Sequence, residues 1–85
     1  MRTRPFGKTG IDVSVLGCGS MALSLPGRPP EERALQILRR LLLEGVSLLD
    51  TADTYGLGPD DLHHNERLLA RAVSERAGMP VVVAT

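Results

Sequence analysis

The chain has 85 residues, with ten Lys plus Arg against ten Asp plus Glu, and 42% of it is apolar. That composition excludes disorder driven by charge and low hydrophobicity, and a chain this short has room for one core rather than two domains. Balanced charge leaves no basic stripe or tail to release counterions, so neither nucleic acid nor an anionic membrane is an expected partner.

Cys18 is the only cysteine, which rules out an intramolecular disulfide framework and makes a reducing cytoplasm the expected setting. Met1 to Pro5 is basic, but Gly7, Lys8, Thr9, Gly10 and Asp12 follow where a signal peptide needs an unbroken apolar run. No stretch approaches the ~20 apolar residues of a membrane span.

In chain order, Phe6 and then Ile11, Val13 and Val15 flank the turn set Gly7-Lys8-Thr9-Gly10. The period of two in the second run predicts a hairpin with one buried face. Val15, Leu16, Gly17 and Cys18 predict a buried strand entering a turn at Gly19. Ser24 to Pro30 holds three prolines and a glycine, hence a loop, with Pro30 expected in the first turn of a helix. Glu31 and Glu32 favour that helix start, and Ala34, Leu35, Leu38, Leu41 and Leu42 recur along one face. Gly45 stops it.

Val46, Leu48 and Leu49 predict a strand buried on both faces, with Asp50 at its end. Asp53 to Pro59 is another loop, after which Asp60 or Asp61 can cap a second helix. Its expected core face is Leu62, Leu69 and Val73, joined by Leu68 and Ala72. Gly78 and Pro80 end that helix, and Val81 to Ala84 predict a third strand. A hairpin followed by βαβαβ is an α/β pattern with a parallel sheet. Three parallel strands leave two bare edges, so residues 1–85 predict an incomplete unit that needs a partner chain or more polypeptide.

Gly7-Lys8-Thr9 echoes a phosphate-binding loop, but the glycine required five positions earlier is Arg2, and a hairpin turn explains the run better. Gly17, Gly19 and Ala22 match a dinucleotide fingerprint after a strand; a Rossmann-type module would then start its helix at Ser20, whereas the prolines delay it towards Pro30. Adjacent side chains such as His63 and His64 diverge by about 100° on a helix and do not converge on one metal, so a solvated helix end is expected and no metal site.

Asp50, Asp53 and Tyr55 stand out chemically, because ionisable groups at the C-terminal ends of parallel strands lie where such sheets place their sites. An aspartate buried there needs a cation. A phenol titrates near pH ~10, too high for proton transfer at neutrality unless a positive charge lies close. The alternative is structural, with an aspartate capping the turn and a tyrosine covering the core.

At these residues the sequence resembles the aldo-keto reductase superfamily. Phe6-Gly7-Lys8-Thr9-Gly10 with Val13-Ser14 resembles its N-terminal hairpin, and Leu16-Gly17-Cys18-Gly19-Ser20-Met21 its first barrel strand and the turn beside the nicotinamide. Asp50-Thr51-Ala52-Asp53-Thr54-Tyr55-Gly56 resembles the signature after the second strand, and Asn65-Glu66-Arg67-Leu68-Leu69 the helix that follows. Ala70 stands where a glycine is often found. The resemblance implies a (β/α)8 TIM barrel, of which residues 1–85 are the N-terminal segment. It implies reduction of aldehydes or ketones with NADPH, so a small carbonyl substrate is the expected partner.

The family's catalytic set is Asp, Tyr, Lys and His. Asp50 and Tyr55 match two of them, while the Lys follows an Ala-Thr pair like Ala84-Thr85 and the His lies on the next strand. Cofactor contacts are implied for Gly19, Ser20, Met21 and Asp50. The 85-residue chain alone is therefore expected to be inactive, and a non-catalytic cofactor-binding relative of the channel β-subunit type is the alternative reading.

Overall fold

Hydrogen-bonded pairing sorts the strands into two sheets in a computed structural model, which describes residues 1–76, 78 and 80–85. The first is an antiparallel hairpin of β1 (Thr3–Pro5) and β2 (Asp12–Ser14), in register Thr3↔Ser14, Arg4↔Val13 and Pro5↔Asp12. Its turn lies where the sequence predicts it. Gly7 and Gly10 adopt φ of +56° and +76°, a region that glycine enters without a Cβ penalty. The Phe6 N–H donates to Ile11 O at 2.8 Å, and Thr9 Oγ1 donates to Phe6 O at 2.6 Å.

The expected apolar face of the hairpin is not built. Val13 is 4% exposed, but Ile11 and Val15 remain 46% and 45% exposed. Val13 and Ser14 are the buried residues of β2, only one of them apolar, and the hairpin is fastened by polar contacts instead. Ser14 and Ser47 exchange two bonds: Ser47 Oγ accepts from the Ser14 N–H at 2.8 Å, and Ser14 Oγ from the Ser47 N–H at 2.9 Å.

The second sheet is parallel, in order β3 (Cys18–Gly19), β4 (Leu48–Asp50), β5 (Val82–Ala84). The strand expected from Val15 shrinks to two residues, and Val15 and Leu16 stay exposed, because the register with β4 holds only Cys18↔Leu49 and Gly19↔Asp50. Helix α1 (Glu31–Leu43) begins one residue later than expected: Pro30 is its N-cap, extended at φ −54°, ψ 149°. Ala34, Leu35, Leu38 and Leu42 are buried along α1 and Leu41 packs against them; Gly45 at φ +97° lets the chain turn away.

Helix α2 (His64–Ser74) departs further from expectation. Asp60 and Asp61 do not cap it but lie in a short 3₁₀ turn over Pro59–Asp61; His63, at φ +65°, precedes the helix. Leu62 is consequently 46% exposed instead of in the core. The cause is a competing use of Asp61, whose carboxylate accepts from the Leu57 N–H at 3.0 Å and from the Arg28 guanidinium at 2.7 Å. Leu68, Leu69 and Ala72 are buried as expected and Val73 packs beside them. The helix ends at Ser74, ahead of Gly78 at φ +90°.

One core cluster joins α1, α2, Val46 and Leu49. Both helices therefore cover the same face of the parallel sheet, and the strands are not buried on both sides. Neighbours in register share a face, so Cys18 and Leu49 lie on the helix side, with Val83 in line with them on the edge strand but 43% exposed, while Gly19, Asp50 and Ala84 form a row on the other side. Leu49 is fully buried; Asp50 is exposed. Burial raises the Cys18 thiol above its usual range, consistent with its place in the helix-facing row.

Ion pairs tie the helices together on the outside. Arg39 in α1 forms a bidentate pair with Glu75 at 2.7 and 2.9 Å, and Arg71 reaches Glu31 at 3.2 Å. Hydrogen bonds from Leu57 N–H and Arg28 hold the Asp61 carboxyl below its ordinary range, those of His63 and Thr85 do so for Glu66, and that of Arg39 for Glu75. A carboxylate lowered in the folded state stabilises above its unfolded value, about 4 to 4.5, and that contribution disappears as pH falls through the folded value. The urea midpoint is expected to be flat from pH 7 to about 5 and to fall steadily below that. A midpoint unchanged at pH 3 would show that these contacts contribute nothing.

Candidate active site

The ends of β3, β4 and β5 bring Gly19, Asp50 and Ala84 side by side on the face away from the helices. Backbone bonds fix their spacing: the Ser20 N–H donates to Asp50 O at 3.2 Å, and the Thr51 N–H to Ala84 O at 2.8 Å. Around Gly19 the face is open, with nothing within 4 Å of where a Cβ would sit. Met21 next to it is 47% exposed. A flat group can therefore approach the backbone at Gly19.

Ser20 is placed differently from Gly19 and Met21. Its side chain is 1% exposed and turned inward, with its hydroxyl 2.6 Å from both Asp50 O and Asn65 Oδ1. Its N–H and carbonyl are engaged as well, by Asp50 O and Asn65 Nδ2, so Ser20 presents no free polar group to the open face. Asp50 has no salt-bridge partner among the described residues, and the cation expected beside it is absent from them. Asp53 is exposed and uses its carbonyl to accept from the His63 N–H at 2.8 Å.

Tyr55 is half-buried in the loop between β4 and α2. Its N–H donates to Ala52 O and its carbonyl accepts from the Asn65 N–H, both at 3.3 Å. Gly56 lets this loop close, because a Cβ there would overlap the Asp61 carbonyl. Arg28 then bolts the loop to the one after β3, bonding Ser24 O at 3.2 Å as well as Asp61.

His63 and His64 take separate partners. His63 Nδ1 lies 2.7 Å from Glu66 Oε1, whereas His64 is half-buried, not solvated, with Nδ1 2.7 Å from Ser24 Oγ. Glu66 also accepts from Thr85 Oγ1 at 2.9 Å, joining α2 to the residue after β5. An open cleft of about 400 Å³ lined by Leu23, Arg28, Pro29, Pro30, Glu31 and His64 lies away from Gly19, Asp50 and Tyr55, none of which lines it.

The residue that sequence reasoning missed is Asn65. It is fully buried in the first turn of α2 and touches the turn after β3, the end of β4 and, through its backbone, the Tyr55 loop. A signal for it existed: position 65 lies three and four residues before Leu68 and Leu69, on the face the helical period turns to the core.

Strands added in the order β3, β4, β5 with both helices on one side, and chemistry-bearing residues at the C-terminal strand ends, define a βαβαβ unit of the α/β class. Only a single 3₁₀ turn over Met21–Leu23 follows Ser20, and α1 begins at Glu31, so the helix that a Rossmann-type module would open at Ser20 is not formed. Comparison with known proteins names the family: residues 15–85 match the Aldo/keto reductase family, and the chain belongs to it.

Two relatives come from Bacillus subtilis (strain 168). The uncharacterized oxidoreductase YqkF is 34% identical over 76 residues, covering 89% of this chain and 22% of that protein. The aldo-keto reductase YhdN is 32% identical over 69 residues, covering 79% of this chain and 19% of that protein. The chain spans about a fifth of the length of these relatives. No solved structure matches it significantly.

Proposed function

We propose that residues 1–85 form the N-terminal segment of a (β/α)8 barrel in an NADP-dependent oxidoreductase that reduces aldehydes or ketones to alcohols. The observation that carries this reading is the row Gly19, Asp50, Ala84 on three parallel strands, open on the face that a closed barrel would turn inward. Family membership and the two Bacillus relatives support it. A cytoplasmic setting fits the single free cysteine, and no helix among the described residues is long and apolar enough to cross a membrane.

Gly19, Met21 and Asp50 would hold the nicotinamide end of the coenzyme, which when bound supplies the hydride, with Ser20 fixing the turn from its buried side. The Tyr55 hydroxyl donates the proton that neutralises the developing alkoxide on the carbonyl oxygen. Asp50 holds and orients the lysine whose positive charge makes the phenol a competent acid near neutrality. That lysine and the histidine of the family's set are supplied elsewhere in the whole protein, so the 85 residues alone are inactive.

The complete protein should bind NADPH in calorimetry and consume it when benzaldehyde is added, whereas residues 1–85 alone should do neither. Coenzyme consumption by the 85-residue chain, or none by the complete protein with any aldehyde or ketone, refutes the reading.

A further inference from the structure

The carboxamide of Asn65 uses its whole hydrogen-bonding capacity. Oδ1 accepts from Thr51 Oγ1 at 2.5 Å and from Ser20 Oγ at 2.6 Å; Nδ2 donates to Ser20 O and to Ser24 Oγ, both at 2.8 Å. The orientation is forced, because Ser20 O can only accept and a flipped amide would set two acceptors against each other. Ser20 in turn holds Asp50 O through its N–H, its single hydroxyl proton is shared between Asn65 Oδ1 and Asp50 O, and the Asn65 N–H holds Tyr55 O. Among the described residues no buried side-chain polar atom lacks a partner, so this network has no slack.

We infer that Asn65 is a positioning residue of the active site: its carboxamide sets the spacing between the Gly19–Met21 turn, Asp50 and the Tyr55 loop, the three parts that must meet coenzyme and substrate. This rests on the function proposed above. Asn65 touches neither reacting group and acts through Ser20, Thr51 and its own backbone. A residue that served stability alone could bury leucine at this core-facing position, whereas fixing three loops in one register needs two donors and two acceptors at a single point.

Asn65→Asp keeps the shape and removes both donors; Thr51→Val removes only one bond to Oδ1, and Thr51→Ser restores it. In the complete protein, Asn65→Asp and Thr51→Val are expected to raise the NADPH dissociation constant about tenfold and about threefold. Both should move the alkaline limb of the kcat profile for benzaldehyde to higher pH, since a displaced Asp50 no longer holds its lysine against the phenol. The amide resonances of Gly19, Ser20, Asp50 and Tyr55 should shift together while those of Arg4 and Val13 in the hairpin stay fixed. Thr51→Ser should return all of these to wild type.

Variants that melt earlier yet keep the wild-type dissociation constant and pH profile would overturn the inference, as would failure of Thr51→Ser to restore them. Should Asn65→Asp not fold, the Thr51 pair decides by the same criteria. If the wild-type protein neither binds NADPH nor reduces benzaldehyde, the proposed function has failed on its own. The resonances then decide, a joint shift supporting the positioning role and unmoved resonances refuting it.

Discussion

In the complete protein, Tyr55→Phe is expected to lower kcat for a carbonyl substrate by about 10² to 10⁴, the usual worth of a positioned general acid. At about 1.4 kcal/mol per tenfold, that corresponds to roughly 3 to 5.5 kcal/mol of barrier. The substitution deletes one oxygen and leaves the ring. Tyr55 is held in its loop by backbone bonds to Ala52 and Asn65, which phenylalanine retains. Coenzyme affinity should therefore change less than twofold, roughly the scatter expected for a group that does not contact it. Steady-state coenzyme consumption together with calorimetric titration of NADPH separates the two effects. A Tyr55→Phe protein with unaltered kcat would remove Tyr55 from the chemistry and leave it a packed side chain over the loop.

Leu49→Ala should destabilise the fold by about 3 kcal/mol, within the ~2–5 kcal/mol found when a buried leucine leaves a cavity. Leu49 is fully buried at the centre of β4, where the core residues of α1 and α2 meet the sheet. Neither helix can move in to fill the gap without breaking strand register on both sides, because Leu49 pairs with Cys18 and with Val83. Native domains are stable by only about 5–15 kcal/mol, so in the complete protein a loss of this size is a large share. Leu62→Ala provides the contrast: its side chain is 46% exposed, and the expected change lies within about 0.5 kcal/mol. Urea unfolding of the complete protein followed by far-UV circular dichroism measures both changes. Equal losses at both positions would contradict the burial that separates them.

The network around Asn65 shows why single-position reasoning finds some site residues and not others. Asp50 and Tyr55 carry groups whose chemistry is conspicuous at a strand end and in the following loop. Asn65, Ser20 and Thr51 carry common polar groups, and their importance arises from meeting one another across 14 and 45 positions of sequence. Asp61 illustrates the converse. An aspartate before a helical pattern predicts a cap, but the side chain is drawn instead to Arg28, 33 residues away, and the start of α2 moves to His64.

Local chemistry in the sequence determined the hairpin turn at Gly7–Gly10, the stop at Gly45, the inward leucines of α1 and α2 and the α/β order, since backbone sterics and periodic burial act over a few residues. Only the tertiary structure decided that both helices cover one face, that Asp50 stands exposed beside Gly19 and Ala84, that Leu62, Ile11 and Val15 stay outside the core, and that Asn65 joins three loops. Those outcomes depend on which distant segments compete for the same buried surface and hydrogen-bonding groups, and residue spacing along the chain carries no record of that competition.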